Sequence, residues 1–247
     1  MLIVGWLLLS PRLRRTPSPA DRRSDLAQAR QIVAEHGGDT LGYFALRDDK
    51  SRFFTGDCVV AYDVRDGVCL VSPDPIGPPD QHALAWAQST AFADRHGWPV
   101  TVVGAAESWL PVYQAAGMHP VYLGDEAIVD CASFSLEGRS MKSLRGAYNR
   151  VRKAGYTVRF HDPATLPADL KGELRFLATQ SRQGGAERGF SMTLSRLFEP
   201  TDTGLLLAVA YGPDGRPAGF CHWIPAADIA GWSEPPPLSW SFSNMID

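Results

Sequence analysis

Two tight-turn signatures, Arg65-Asp66-Gly67 and Gly212-Pro213-Asp214-Gly215, constrain this chain more than any other feature. Each lies between short apolar runs, where Asp-Gly favours a hairpin loop because both positions tolerate positive φ. Each also sits in its own succession of helix-like and strand-like segments. In the first succession, Leu26, Ala29, Ile32 and Val33 give residues 21–35 helical spacing that ends at Gly37-Gly38. Strand-like runs follow at 41–46, 58–64 and 68–71, then a rigid turn, Ser72-Pro73-Asp74-Pro75-Ile76-Gly77-Pro78-Pro79. A helix over 80–96, a strand at 100–103, a helix over 108–116 and strands at 118–123 and 127–129 complete it. The pattern then restarts with a helix over 139–153, a strand at 157–160 and a helix over 167–182. A Gly184-Gly185 turn and strands at 205–211 and 218–224 follow. Two related α/β units in tandem, joined near Ala132-Ser133, satisfy this order. From Ser233 onward, Glu234-Pro235-Pro236-Pro237 and a polar tail show no periodicity.

The segment opening the second unit is chemically distinctive. Residues 139–153 carry six basic side chains and no acidic one. Met141, Leu144, Tyr148 and Val151 recur at steps of three and four, which predicts a helix with one buried face. Arg139, Lys142, Arg145, Asn149, Arg152 and Lys153 fall on the other faces. The whole chain has a net charge of −3, so +6 in this helix leaves −9 elsewhere. Such segregation excludes broad coating of nucleic acid and points to a local anionic partner. The competing reading is a solvated basic face with no partner.

Cys58, Cys69, Cys131 and Cys221 are far apart, with no CxxC pair and no histidine at zinc spacing. Buried free thiols, not a disulfide framework or a metal site, are expected. Residues 1–9 are apolar and precede Pro11-Arg12-Leu13-Arg14-Arg15. Nine residues are too few for a bilayer, which needs about 20. Charge following the apolar run is the reverse of a signal peptide. The expectation is the end of a membrane helix leaving toward a cytoplasmic basic flank, with a frayed or interfacial terminus as the alternative.

Several motifs together resemble the C-terminal domain of the phosphatidylglycerol lysyltransferases, the multiple peptide resistance factors. In the second unit these are Phe134-Ser135-Leu136-Glu137-Gly138 leading into Lys142, Arg145 and Asn149, then Glu187-Arg188-Gly189-Phe190-Ser191-Met192, then Asp214-Gly215-Arg216-Pro217. In the first unit Phe53-Phe54, Asp74-Pro75-Ile76-Gly77 and Val112-Tyr113-Gln114-Ala115-Ala116-Gly117-Met118 are similar to the same family. The last also resembles the closing helix–strand of GNAT acyltransferases.

The resemblance covers about residues 38–232 and implies an α/β (α+β) fold of tandem GNAT-like units with mixed sheets. Residues 1–20 would be a membrane-helix remnant and basic flank, 21–132 the first unit, and 133–247 the second, incomplete after about 232. It implies transfer of a lysyl or alanyl group from aminoacyl-tRNA to phosphatidylglycerol at the cytoplasmic face of the cell membrane. Both substrates are polyanions, which suits Arg139, Lys142, Arg145, Asn149 and Arg150, with Glu187 and Arg188 as further substrate-binding positions. An aminoacyl ester is already activated, so positioning and oxyanion stabilisation can carry the reaction with no metal or redox cofactor. No catalytic residue is singled out.

After Gly231-Trp232-Ser233 the family continues with a Leu-Asp-Leu-Met-Arg-like strand, for which this chain has no counterpart; the expectation is a fragment with little or no activity. Two alternatives remain. One is a non-catalytic remnant that binds anionic lipid or tRNA. The other is a coenzyme-A-dependent GNAT acyltransferase, against which Arg182-Gln183-Gly184-Gly185-Ala186-Glu187 puts Glu where a pyrophosphate loop needs a small residue. Asp74, His161, His222, Trp223 and Trp232 are read as turn, packing or solvated residues, not as catalytic groups.

Overall fold

In the computed structural model, residues 19–125, 129–130, 133–181, 194, 196–226 and the backbone of 239–246 are described. The first unit begins with helix α1 (Pro19–His36) and a 3-10 turn (Gly42–Leu46). Strands β1 (Ser51–Thr55), β2 (Cys58–Arg65) and β3 (Val68–Val71) follow, then helix α2 (His82–Arg95), strand β4 (Val100–Val102) and helix α3 (Leu110–Ala115). The second unit contains helix α4 (Lys142–Lys153), strand β5 (Thr157–His161), helix α5 (Ala168–Ser181) and strands β6 (Leu206–Tyr211), β7 (Pro217–Ala226) and β8 (Ser239–Ile246). The strands form two four-stranded sheets, ordered β1-β2-β3-β4 and β5-β6-β7-β8. The first is mixed, since β3 and β4 run parallel. The second is antiparallel in its three pairings.

Strand β2 shows how period-two sequence builds the first unit. Val59 and Ala61 point to a core made with Ala29, Ile32 and Val33 of α1. Val60 and Tyr62 point the other way, into a core with Trp86 and Ala93 of α2. Burial on both faces explains why β2 reads as a nearly continuous apolar run. The β2–β3 hairpin closes at Asp66 (φ 51°) and Gly67 (φ 82°), the consecutive left-handed pair of a tight two-residue loop. The second sheet packs Leu207, Val209 and Phe220 against Leu174 and Ala178 of α5. Leu194, Leu205 and Ile224 join the core around α1, so one apolar cluster spans both sheets.

Three segments depart from the sequence reading. Residues 41–46, expected as a strand, include the buried 3-10 turn. Among the described residues this segment pairs with no strand, and its apolar side chains pack with α1, with Val59 and Ala61 of β2 and with Ile224 of β7. Residues 118–123, also expected as a strand, have no strand partner among the described residues, and Val121, Tyr122 and Leu123 are exposed. Finally, the C-terminal stretch, expected to lack periodicity, contains β8, which pairs along β7 from Phe220↔Ile246 to Ala226↔Ser239. Here Ser239-Trp240-Ser241-Phe242-Ser243 does alternate polar and apolar residues, the period-two pattern of a strand, directly after the Pro235-Pro236-Pro237 run.

Candidate polyanion-binding site

Helix α4 and the loop before it form an open hollow of about 530 Å³. Its walls are Leu136, Glu137, Gly138, Arg139, Lys142 and Arg145. The loop is held by its own chemistry. Ser135 Oγ accepts from the Glu137 amide at 3.0 Å, and Gly138 (φ 84°) reverses the chain in a conformation that favours glycine. Arg145 reaches back from the helix and donates to the carbonyls of Leu136 and Gly138, the latter at 3.1 Å. One guanidinium therefore ties the rim of the hollow to the first turn of α4. The helix start has no side-chain cap and no acidic residue in its first turn. Its outward-pointing amides, with Lys142 and Arg139 beside them, favour an anion at this end.

The cations of 139–153 are exposed apart from the half-buried Arg145, and among the described residues none pairs with a carboxylate. Lys142, Asn149 and Lys153 share one face of α4, and Arg150 folds back toward Gly146. Arg152 lies over the Tyr148 ring at 5.8 Å. The expected buried face is not buried. Leu144, Tyr148 and Val151 are 50%, 51% and 54% exposed, and only Met141 is half-buried. No described helix or strand packs along α4, so its three-and-four spacing marks an apolar stripe left open to solvent. Glu187 and Arg188 lie outside the described residues, so the hollow is described with Arg139, Lys142 and Arg145, and the helix surface with Asn149 and Arg150.

Sequence reasoning missed a second charged constellation. Asp202, 2% exposed, accepts from Arg196 Nε at 2.7 Å, Arg196 Nη2 at 2.8 Å and Arg30 Nη2 at 2.9 Å, while the Tyr43 hydroxyl approaches at 3.4 Å. Arg196 also donates to the Leu46 carbonyl at 2.8 Å and to Asp48 at 3.0 Å. Burial alone would raise the Asp202 pKa, but the Arg196 hydrogen bonds and the charges of Arg196 and Arg30 outweigh it and hold the carboxyl below its ordinary range. The same burial, reinforced by Asp202, pushes the Tyr43 phenol well up. This cluster joins α1 and the 3-10 turn to the segment before β6, across sequence separations of 172 and 150 residues. No local pattern announces it, because its members share no helix face or strand.

Other titratable groups make contacts within the fold. Burial pushes the Asp74 carboxyl up to about 6, against hydrogen bonds from the Tyr113 hydroxyl and the Ala106 amide. Asp74 thus fastens the proline-rich turn to α3. Burial pushes the Lys50 ammonium down to about 7 beside the Ser72 carbonyl, and the His222 imidazole down to about 4. His161 meets the Tyr211 hydroxyl at 3.1 Å. Among the described residues no three His, Cys, Asp or Glu side chains gather as metal ligands, and no helix is long and apolar enough to cross a membrane.

Residues 30–234 match the family model described as phosphatidylglycerol lysyltransferase, C-terminal. The chain belongs to this family. Among relatives, it is 40% identical over 205 residues to the lysylphosphatidylglycerol biosynthesis bifunctional protein LysX of Rhodococcus jostii, covering 82% of this chain and 18% of that protein. The same-named protein of Nocardia farcinica is 41% identical over 192 residues, covering 76% and 17%. The chain therefore spans about a fifth of the length of these relatives. Its fold resembles that of L-PGS from Bacillus licheniformis, with a TM-score of 0.78 and 23% identity over 95% of this chain and 67% of that one. It also resembles the C-terminal domain of a putative lysylphosphatidylglycerol synthetase from Agrobacterium fabrum, with a TM-score of 0.73 and 20% identity over 91% and 69%. The hollow, α4 and the Arg30–Asp202–Arg196 cluster all lie within the family match.

Proposed function

We propose that this chain is the aminoacyl-transferring part of a protein that modifies phosphatidylglycerol. The lipid's glycerol hydroxyl attacks the carbonyl carbon of a lysyl or alanyl ester on tRNA. A new ester bond forms, the bond to the tRNA ribose breaks, and the released ribose oxygen takes the proton. No metal or redox partner is needed, because the ester is already activated. The observation that carries this reading is the open hollow at the α4 N-terminus, ringed by Arg139, Lys142 and Arg145, inside the span matched by the lysyltransferase family. Arg139 and Lys142 hold a phosphate of tRNA or lipid, and Arg145 keeps the loop in place. Asn149 and Arg150 extend the contact along the helix, with Glu187 and Arg188 as further binding positions. The tandem GNAT-like division near residues 132–133 and a place at the cytoplasmic face of the cell membrane belong to the same reading.

The test is transfer of radiolabelled lysine or alanine from charged tRNA to phosphatidylglycerol vesicles, with tRNA affinity measured alongside. Charge reversal of Lys142, Arg145 and Arg150 should abolish transfer and weaken tRNA binding, and added salt should weaken binding too. Unchanged tRNA and vesicle affinity after that triple reversal would remove α4 from the substrate site. Absence of binding to both charged tRNA and phosphatidylglycerol vesicles would overturn the transferase reading.

A further inference from the structure

The exposed apolar stripe of α4 is not explained by phosphate binding, which needs only its cations. We propose that α4 is an interfacial helix that lies on an anionic lipid surface, with Leu144, Tyr148 and Val151 sunk into the boundary between headgroups and acyl chains. The inference rests on the transferase reading only for the choice of phosphatidylglycerol as the anionic lipid.

Three observations carry it. The stripe is about half exposed at each of its three positions, and no described helix or strand packs along it. Turning about 100° per residue, Lys142, Asn149 and Lys153 occupy the opposite face of the helix, while Arg145 and Arg152 flank the stripe beside Tyr148. A helix with an apolar stripe, flanking arginines and a basic outer face has the layout of a segment lying in the membrane plane. The Arg152 guanidinium, over the Tyr148 ring, reaches phosphates at headgroup depth while its stem stays against apolar surface, and Arg145 stays on its loop carbonyls. Finally, residues 139–153 contain no acidic residue in a chain that is otherwise acidic. An anionic surface therefore attracts this helix and repels the remainder, which sets the orientation of docking. Tyr156, exposed just beyond the helix, adds an aromatic side chain suited to the same interface. An RNA partner would use the same cations but would leave Leu144 and Val151 in water, so the lipid surface accounts for more of the helix.

The experiment uses the whole chain and phosphatidylcholine vesicles with and without phosphatidylglycerol. The triple variant Leu144→Ser/Tyr148→Ser/Val151→Ser keeps every cation. It should lower partitioning onto phosphatidylglycerol vesicles about tenfold or more, with tRNA affinity unchanged. These side chains support no described core, and circular dichroism checks that the variant is folded. Independently, Tyr148→Trp should add a blue-shifted emission on vesicles that is quenched by lipids brominated on the acyl chain, relative to the parent protein. Lack of that quenching, or full vesicle binding by the triple variant, overturns the proposal. Loss of tRNA affinity in the triple variant would make RNA the occupant. A dimer of the parent chain that the triple variant dissociates would make it a second copy. Quenching without any tRNA binding by the parent chain would remove the transferase reading and keep the docked helix. tRNA binding without quenching would do the reverse.

Discussion

Removing the Asp202 carboxylate should destabilise the fold by an amount set by what Arg196 loses. In Asp202→Ala, Arg196 gives up its Nε and Nη2 hydrogen bonds, at 2.7 and 2.8 Å, and keeps those to Leu46 and Asp48. Its side chain is only 9% exposed, so water cannot replace the lost acceptor. Arg30, 24% exposed, can turn to solvent and adds little. Breaking a buried pair from one side costs about 3–5 kcal/mol when the charge left behind is uncompensated; here Asp48 still faces Arg196, which puts the loss near about 3 kcal/mol. Asp202→Asn retains the volume and one acceptor oxygen and should cost about 2 kcal/mol. The double change Asp202→Leu/Arg196→Met removes both charges and should recover most of the loss. Urea unfolding at neutral pH measures each difference. The pH dependence gives a second check. The folded pKa of Asp202 is held below its ordinary value of 3.8, so its stabilisation is complete above that value and is lost as pH falls through the depressed folded one. The gap between parent and Asp202→Ala should therefore close in acid. A loss below about 1 kcal/mol in Asp202→Ala, the scale of an ordinary surface change, would refute the reasoning.

Asp74 behaves oppositely. Its folded pKa is raised to about 6, so the neutral acid is favoured by the fold and stability declines as pH rises from about 4 through 6; thermal melts of Asp74→Asn should lack that decline. Gly67→Val forces a β-branched side chain into φ 82° at the β2–β3 turn and should cost about 1–2 kcal/mol, read by urea midpoint. Leu207→Ala empties a fully buried site between β6 and α5 and should cost about 2–5 kcal/mol by the same measurement. Charge reversal of Lys142 and Lys153, both exposed, should leave the melting temperature nearly unchanged while weakening binding to polyanions in filter assays.

The candidate site was largely legible in sequence because its signal is local. A helix surface with six cations and no acid needs no tertiary information to be noticed, and Arg139, Lys142, Asn149 and Arg150 are exposed as a binding face requires. What was not legible was the second task of Arg145, whose carbonyl partners lie in the preceding loop, and the fate of the stripe on the other side. Apolar spacing shows which residues share a face; it does not say whether anything covers that face.

By itself, the sequence determined the elements whose stability comes from neighbours a few residues away: the Asp66-Gly67 hairpin turn, α1 stopping near Gly37, the amphipathic α4, and the strand-forming apolar run of β2. These depend on backbone φ preference and on the 3.6- and 2-residue periods. Only the tertiary structure decided that the apolar run at 42–46 is a 3-10 turn beneath α1, that 118–123 has no described strand beside it, and that β8 pairs along β7. It also decided that Asp202 meets both Arg196 and Arg30. A strand depends on the partner that supplies its hydrogen bonds, and a buried ion pair depends on two charges leaving water together. Neither partner is specified by residues adjacent in the chain.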